Sequence, residues 1–143
     1  MKFDYLILAG TLSFIAALLH LAIIVGGPAW YRFFGAGEAI ATMAEQGLLR
    51  PTIITICISA ILTTWGAYAW SAAGVLPKFP LQKLIVMLIT AVYLLRGFLG
   101  LCAPLSNHPE VAQNSASFWI WSSIICLIFG LVHLKGVFDK WFS

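Results

Sequence analysis

The stretch "LIVMLITAVYLLRGFLGLCAPL", residues 84–105, decides the fold, because it carries a single formal charge, Arg96, in a run that otherwise reads as hydrocarbon. A bilayer core takes about 20 apolar residues at a rise of about 1.5 Å each, so this run is long enough to cross one. Three other stretches match it. Tyr5 to Gly27 and Pro51 to Ala73 contain no Asp, Glu, Lys or Arg, and Ala116 to Leu134 contains no formal charge and one histidine, His133. In lipid every backbone amide must be bonded within its own segment, so all four are expected to be helices. The fold class predicted is all-α: a polytopic membrane protein built as an up-down bundle of four transmembrane helices. They are expected at about 5–27, 51–73, 82–105 and 116–138 of one domain that covers residues 1–143.

Composition agrees. The chain is 62% hydrophobic and 9% charged, whereas soluble domains carry about 25% charged residues. Such a chain cannot cover a water-facing surface. Its first apolar run exceeds the roughly 7–15 residues of a signal-peptide core, Asp4 spoils the basic start, and no small-residue cleavage site follows, so a retained helix is expected. Lys2, Lys78, Lys83, Lys135 and Lys140 fall on one side of such a bundle, and Arg32 and Arg50 on the other. That bias places both termini in the cytoplasm.

Cys57, Cys102 and Cys126 contain no C-x-x-C pair, and they read as small apolar fillers instead of a redox or metal framework. No metal site and no cofactor is expected.

Between the first two spans lies "PAWYRFFGAGEAIATMAEQGLLRP", residues 28–51. Trp30, Tyr31, Phe33 and Phe34 read as an aromatic belt at the outer interface. Ile40, Met43, Ala44, Gly47 and Leu48 then recur at helical spacing, with Glu38, Thr42, Glu45 and Gln46 opposite. This predicts an amphipathic helix at about 37–49 lying in the membrane plane, as an anchor or as a lid over an outward-opening cavity.

Each span also carries a face of small or polar residues. These are Gly10, Ser13, Ala17 and His20; Thr52, Thr55, Ser59, Thr63 and Gly66; Thr90, Tyr93, Gly97 and Gly100; and Ser122, Cys126, Gly130 and His133. Close helix packing explains such faces. A polar-lined pocket competes because the faces run into ionisable groups.

Arg96 is the sharpest of these groups. A mid-membrane arginine costs about 2.5–3.5 kcal/mol, and the eleven Leu, Ile, Val and Phe residues between Leu84 and Leu101 each return about 0.3–0.6. The helix can therefore insert. Two readings remain: a side chain snorkelling to headgroups, or one turned inward and bonded to partners. No acid lies in any span. His20 falls at a similar height, Tyr93 one turn deeper, and Glu38 could join from the loop. The candidate ligand site is thus Arg96, His20, Tyr93 and Glu38, suited to a carboxylate or phosphate headgroup.

Two intramembrane histidines raise haem ligation, but His20 in the outer half and His133 in the inner half differ in height by roughly 12–15 Å on the helical rise. His133 reads as a helix-end residue beside Lys135, or as part of a polar or proton relay. Enzyme signatures such as H-E-x-x-H or G-x-S-x-G are missing. The scattered basic residues give no basis for nucleic-acid binding.

The segments "YRFFGAGE" and "YLLRGFLG", with the length and glycine placement, resemble small four-helix bacterial inner-membrane proteins of the broadly DoxX-like type. The resemblance implies the fold and an inner-membrane location, and it transfers no functional residue. The leading expectation is a non-enzymatic protein that binds or passes a small anionic or lipid-like ligand from the outer side. An accessory subunit, whose small-residue faces meet a partner subunit or a second copy, is the alternative, and a small intramembrane enzyme is the third.

Overall fold

The computed structural model describes residues 4–109 and 111–143. Lys2, which enters the charge count above, lies outside the described residues. The described residues form helices joined by turns, with no strand among them. Six α-helices are α1 (Tyr5–Gly26), α2 (Pro28–Phe33), α3 (Glu38–Glu45), α4 (Arg50–Ala73), α5 (Gln82–Cys102) and α6 (Ala116–Trp141). Four of them, α1, α4, α5 with the short turn after it, and α6, are long and apolar enough to cross a membrane.

Local chemistry explains where these helices begin and end. Asp4 caps α1 by accepting from the Leu6 N–H at 2.9 Å, and Ser115 caps α6 by accepting from the Phe118 N–H at 3.1 Å. Gly74, in the left-handed region at φ 84°, ends α4. The connection to α5 is organised by the buried Ser71. Its hydroxyl donates to Pro77 O at 2.6 Å and accepts from the Phe79 N–H at 2.9 Å and from Gln82 Nε2 at 2.5 Å.

The segment between α1 and α4 differs from the sequence expectation. The helix expected at about 37–49 covers only Glu38–Glu45. Gly47, placed above on the apolar face, is its terminator. At φ 71° it donates to Ala44 O at 3.1 Å, and Leu48 donates to Met43 O at 3.0 Å, which is a Schellman closure. Ala41, not the Ile40–Met43–Ala44–Leu48 face as a whole, is fully buried, and Leu48 stays 49% exposed. The aromatic belt also contains a helix of its own, α2, with Pro28 at its start. Tyr31 is buried there against Ile23 and Ala41 instead of sitting at an interface.

The long helices pack as two intimate pairs, α1 with α4 and α5 with α6, joined by slighter contacts of α1 with α6 and of α4 with α5. In the first pair Trp70 Nε1 donates to Ile7 O at 3.1 Å and Ser59 Oγ to Ala17 O at 2.9 Å. Numbers thus fall on one helix as they rise on the other. A Cβ on Gly10 would sit 2.8 Å from Gly66 O, so both glycines are needed for the backbones to approach this closely. In the second pair a Cβ on Gly97 would crowd Leu127 at 2.6 Å, and one on Gly130 would crowd Leu94 at 2.7 Å.

Candidate functional site

The small-residue faces are turned into the chain. Gly10, Ser13, Ala17, Thr55, Ser59, Gly66, Thr90, Tyr93, Gly97, Gly100, Gly130 and His133 are all buried. Packing within the chain therefore accounts for most of the stripe pattern, and an interaction with a further subunit is not required to cover it. Cysteine behaves otherwise than expected. Cys57 and Cys102 are exposed on the outer surface of the helices and only Cys126 is partly buried, so they are not core fillers.

Arg96 is held by α6. Its Nη2 donates to Ser122 Oγ at 3.1 Å and its Nη1 to Ser123 Oγ at 3.3 Å, while its Cζ lies 5.1 Å from the centre of the Trp119 ring. Ser123 is wholly buried. A Cβ on Gly100 would collide with both Ser123 Oγ and Arg96 Nη1, so the glycine makes room for the guanidinium. Two charge-assisted hydrogen bonds are worth about 1.5–3 kcal/mol each, comparable to the roughly 2.5–3.5 kcal/mol that placing the arginine in the span costs. They satisfy two of the five N–H donors of a guanidinium. Among the described residues no acid pairs with this charge: the ion pairs there are Arg32–Glu38, Arg32–Glu45 and Lys135–Asp139.

The other expected site residues have different partners. His20 Nδ1 donates to Ala16 O at 2.7 Å, one turn back on its own helix. Glu38 is held by Arg32, whose Nε reaches its carboxylate at 3.0 and 3.1 Å. Arg32 Nη1 also donates to Glu45 at 2.5 Å, so one guanidinium clasps α2 to both ends of α3. These bonds hold the Glu38 and Glu45 carboxyls below their usual range and raise the Arg32 guanidinium. Tyr93 turns to the bundle centre, where its hydroxyl and Ser13 Oγ are 3.0 Å apart and its ring meets Trp65 at 5.0 Å and Phe129 at 5.5 Å. Among the described residues no hydrogen bond or ion pair joins Arg96 to His20, Tyr93 or Glu38.

His133 is brought to Tyr93 instead, at 5.1 Å between ring centres. It is fully buried and not an interfacial helix-end residue, because α6 runs two further turns to Trp141 and residue 133 lies on the packed face with Gly130 and Val137. Its Nδ1–H donates to Phe129 O at 2.8 Å, which leaves Nε2 as a buried acceptor with no donor. Ser122, which the sequence offered only as a packing residue, and Ser123, which it did not single out, are the neighbours of Arg96 that were missed. The signal was there in the adjacent hydroxyls six and seven residues into the last span, about as far from its start as Arg96 is from the end of α5.

No three His, Cys, Asp or Glu side chains among the described residues cluster as a metal site. A cleft of about 560 Å³ lies at the other end of the bundle, lined by Asp4, Tyr5, Lys135, Asp139 and Lys140. It is remote from Arg96, and its charges are mixed. Comparison with protein-family models, curated proteins and solved structures finds no match. The functional reading therefore rests on the side chains themselves.

Proposed function

We propose that this chain is a non-enzymatic, up-down four-helix membrane protein that binds or passes a small anionic or lipid-like ligand at its outward end, around Arg96. Both termini lie on the cytoplasmic side in this reading, which the excess of lysines near the termini and in the α4–α5 connection supports. The short helix α3 lies along the outer interface. The inner membrane of a bacterium, as in the DoxX-like proteins the chain resembles, is the location that fits.

One observation carries the reading: a guanidinium positioned by two hydroxyls and an indole face, with no carboxylate among the described residues bonded to it. Arg96 stands six residues before the end of α5, and Ser122 six residues after the start of α6. Both counts put the group about 9 Å below the helix ends. A fixed, uncompensated cation at that depth attracts an anion, and a guanidinium fork matches carboxylate and phosphate oxygens in pairs. Two other arginines stand near this end: Arg32 is already paired with Glu38 and Glu45, and Arg50 is exposed at the start of α4.

Native mass spectrometry of the gently extracted protein tests the reading. Arg96→Leu should abolish retention of bound anions while membrane expression stays at the wild-type level. Unchanged anion retention in Arg96→Leu would overturn it.

A further inference from the structure

The face of α4 that meets α5 runs through Pro51, Ile54, Ile58, Leu62, Trp65, Ala69 and Ala72 at helical spacing. Its inner half is closed. Ala72 packs with Val86, Leu62 packs with Ile89 and Tyr93, and the Trp65 and Tyr93 rings touch. Exposure then returns on the same stripe, from 9% at Leu62 to 38% at Ile58 and 40% at Ile54, before Pro51 is fully buried again. On α5 the matching series is buried through Val86, Ile89 and Tyr93 and becomes partly open at Arg96. The core contacts between the two helices lie in their inner halves, and in their outer halves the side chains on this stripe are exposed.

Heights agree. Arg96 is about 4.5 Å outward of Tyr93, and Ile58 about 6 Å outward of Leu62, on the helical rise. The exposed outer part of the α4–α5 seam thus stands at the height of Arg96.

From above, the same region is roofed. Tyr31 Oη of α2 lies 3.2 Å from Thr55 Oγ1 of α4. At the far side Gly35 lies against the Phe118 ring of α6, and a Cβ on Gly37 would stand 3.1 Å from Asn114 Oδ1. The segment carrying α2 and α3 bridges α4 to α6, and the Arg32 clasp keeps it folded. An ion arriving from water meets this roof, whereas a molecule already in the bilayer meets the open seam.

We infer that the ligand at Arg96 is a phosphate-bearing membrane lipid that enters sideways between the outer halves of α4 and α5. Its phosphate sits on the guanidinium and its acyl chains lie in the bilayer beside Ile54 and Ile58. The inference rests on the anion reading proposed above and adds the ligand class and the route.

The experiment titrates detergent-purified protein with dioleoyl phosphatidylglycerol, dioleoylglycerol and inorganic phosphate, read by native mass spectrometry, with circular dichroism confirming each variant's fold. Wild type should bind the phospholipid about tenfold or more tightly than dioleoylglycerol, the scale of one charge-assisted hydrogen bond. Arg96→Gln should remove that preference. Ile58→Trp, which fills the seam without touching the charge, should weaken phospholipid binding by a similar factor. Inorganic phosphate binding as strongly as the phospholipid, lost in Arg96→Gln but indifferent to Ile58→Trp, would overturn the lipid route and leave the anion reading standing. Phospholipid and phosphate binding both unchanged in a folded Arg96→Gln would overturn both. Should Arg96→Gln not fold, Arg96→Lys takes its place, since it keeps the charge and loses the fork. A phospholipid preference undiminished in Arg96→Lys would then count against the guanidinium seat.

Discussion

Gly100 is the residue on which the position of the Arg96 guanidinium depends. A methyl there would strike Ser123 Oγ and Arg96 Nη1, and Ser123 cannot retreat because it is wholly buried. Gly100→Ala should therefore expel the guanidinium from its serine seat and destabilise the protein by about 1–3 kcal/mol, the range for overpacking a filled site. Thermal unfolding in detergent and anion retention should fall together. His133 offers the opposite case. Its Nε2 is a buried acceptor without a donor, and such a group costs about 1–3 kcal/mol. His133→Phe should leave the melting temperature equal or higher if the imidazole only fills space, and a loss of function with the fold intact would mark it as a relay beside Tyr93. Glu38 and Glu45 respond to acid with a definite sign. Their folded-state pKa values are lowered by the Arg32 hydrogen bonds, so the clasp is complete above the ordinary value of 4.5 and is lost as pH falls through the lower folded values. Protection factors of the α3 amides, measured against the intrinsic exchange rate at each pH, should fall as pH drops below the ordinary carboxylate value of 4.5, and in Arg32→Gln they should be low at every pH.

At the scale of elements, the glycine contacts decide which helices pair. Gly10 and Gly66 set the approach of α1 to α4, and Gly97 and Gly130 that of α5 to α6. Gly10→Val should separate the first pair and lower stability by about 1–3 kcal/mol, visible as a lower melting temperature. The Ser59–Ala17 hydrogen bond should be lost with it. These faces were legible in the sequence because small residues recurred every three or four positions. The length of α3 was not. Gly47 fits an apolar period as well as it fits a helix terminator, and only the left-handed backbone at that position separates the two roles. The aromatic run likewise announced a membrane boundary, yet Tyr31 is drawn inward by Thr55, Ile23 and Ala41, which are distant from it in the chain or on other helices.

At the scale of the molecule, the orientation proposed above rests on the distribution of lysines and arginines. In a background with Cys57, Cys102 and Cys126 replaced by alanine, Asn107→Cys should react with an impermeant maleimide on intact cells. Ser143→Cys should react only after permeabilisation. The reverse pattern would invert the bundle and place Arg96 at the cytoplasmic face. The slight α4–α5 contact, set against the intimate α1–α4 and α5–α6 pairs, is the feature on which the proposed lateral route relies.

By itself the sequence determined the apolar helices that can cross a membrane, because in lipid a backbone has no solvent to bond and must close its hydrogen bonds within each segment. It also exposed Arg96 as a charge with no acid in any span. The tertiary structure alone decided the partners: Ser122 and Ser123 for Arg96, Ser13 and His133 for Tyr93, Arg32 for Glu38. Helical rise gives the height of a side chain, but the direction in which it points depends on how each helix is rotated against its neighbours. That rotation is set by the meeting of small residues from distant parts of the chain.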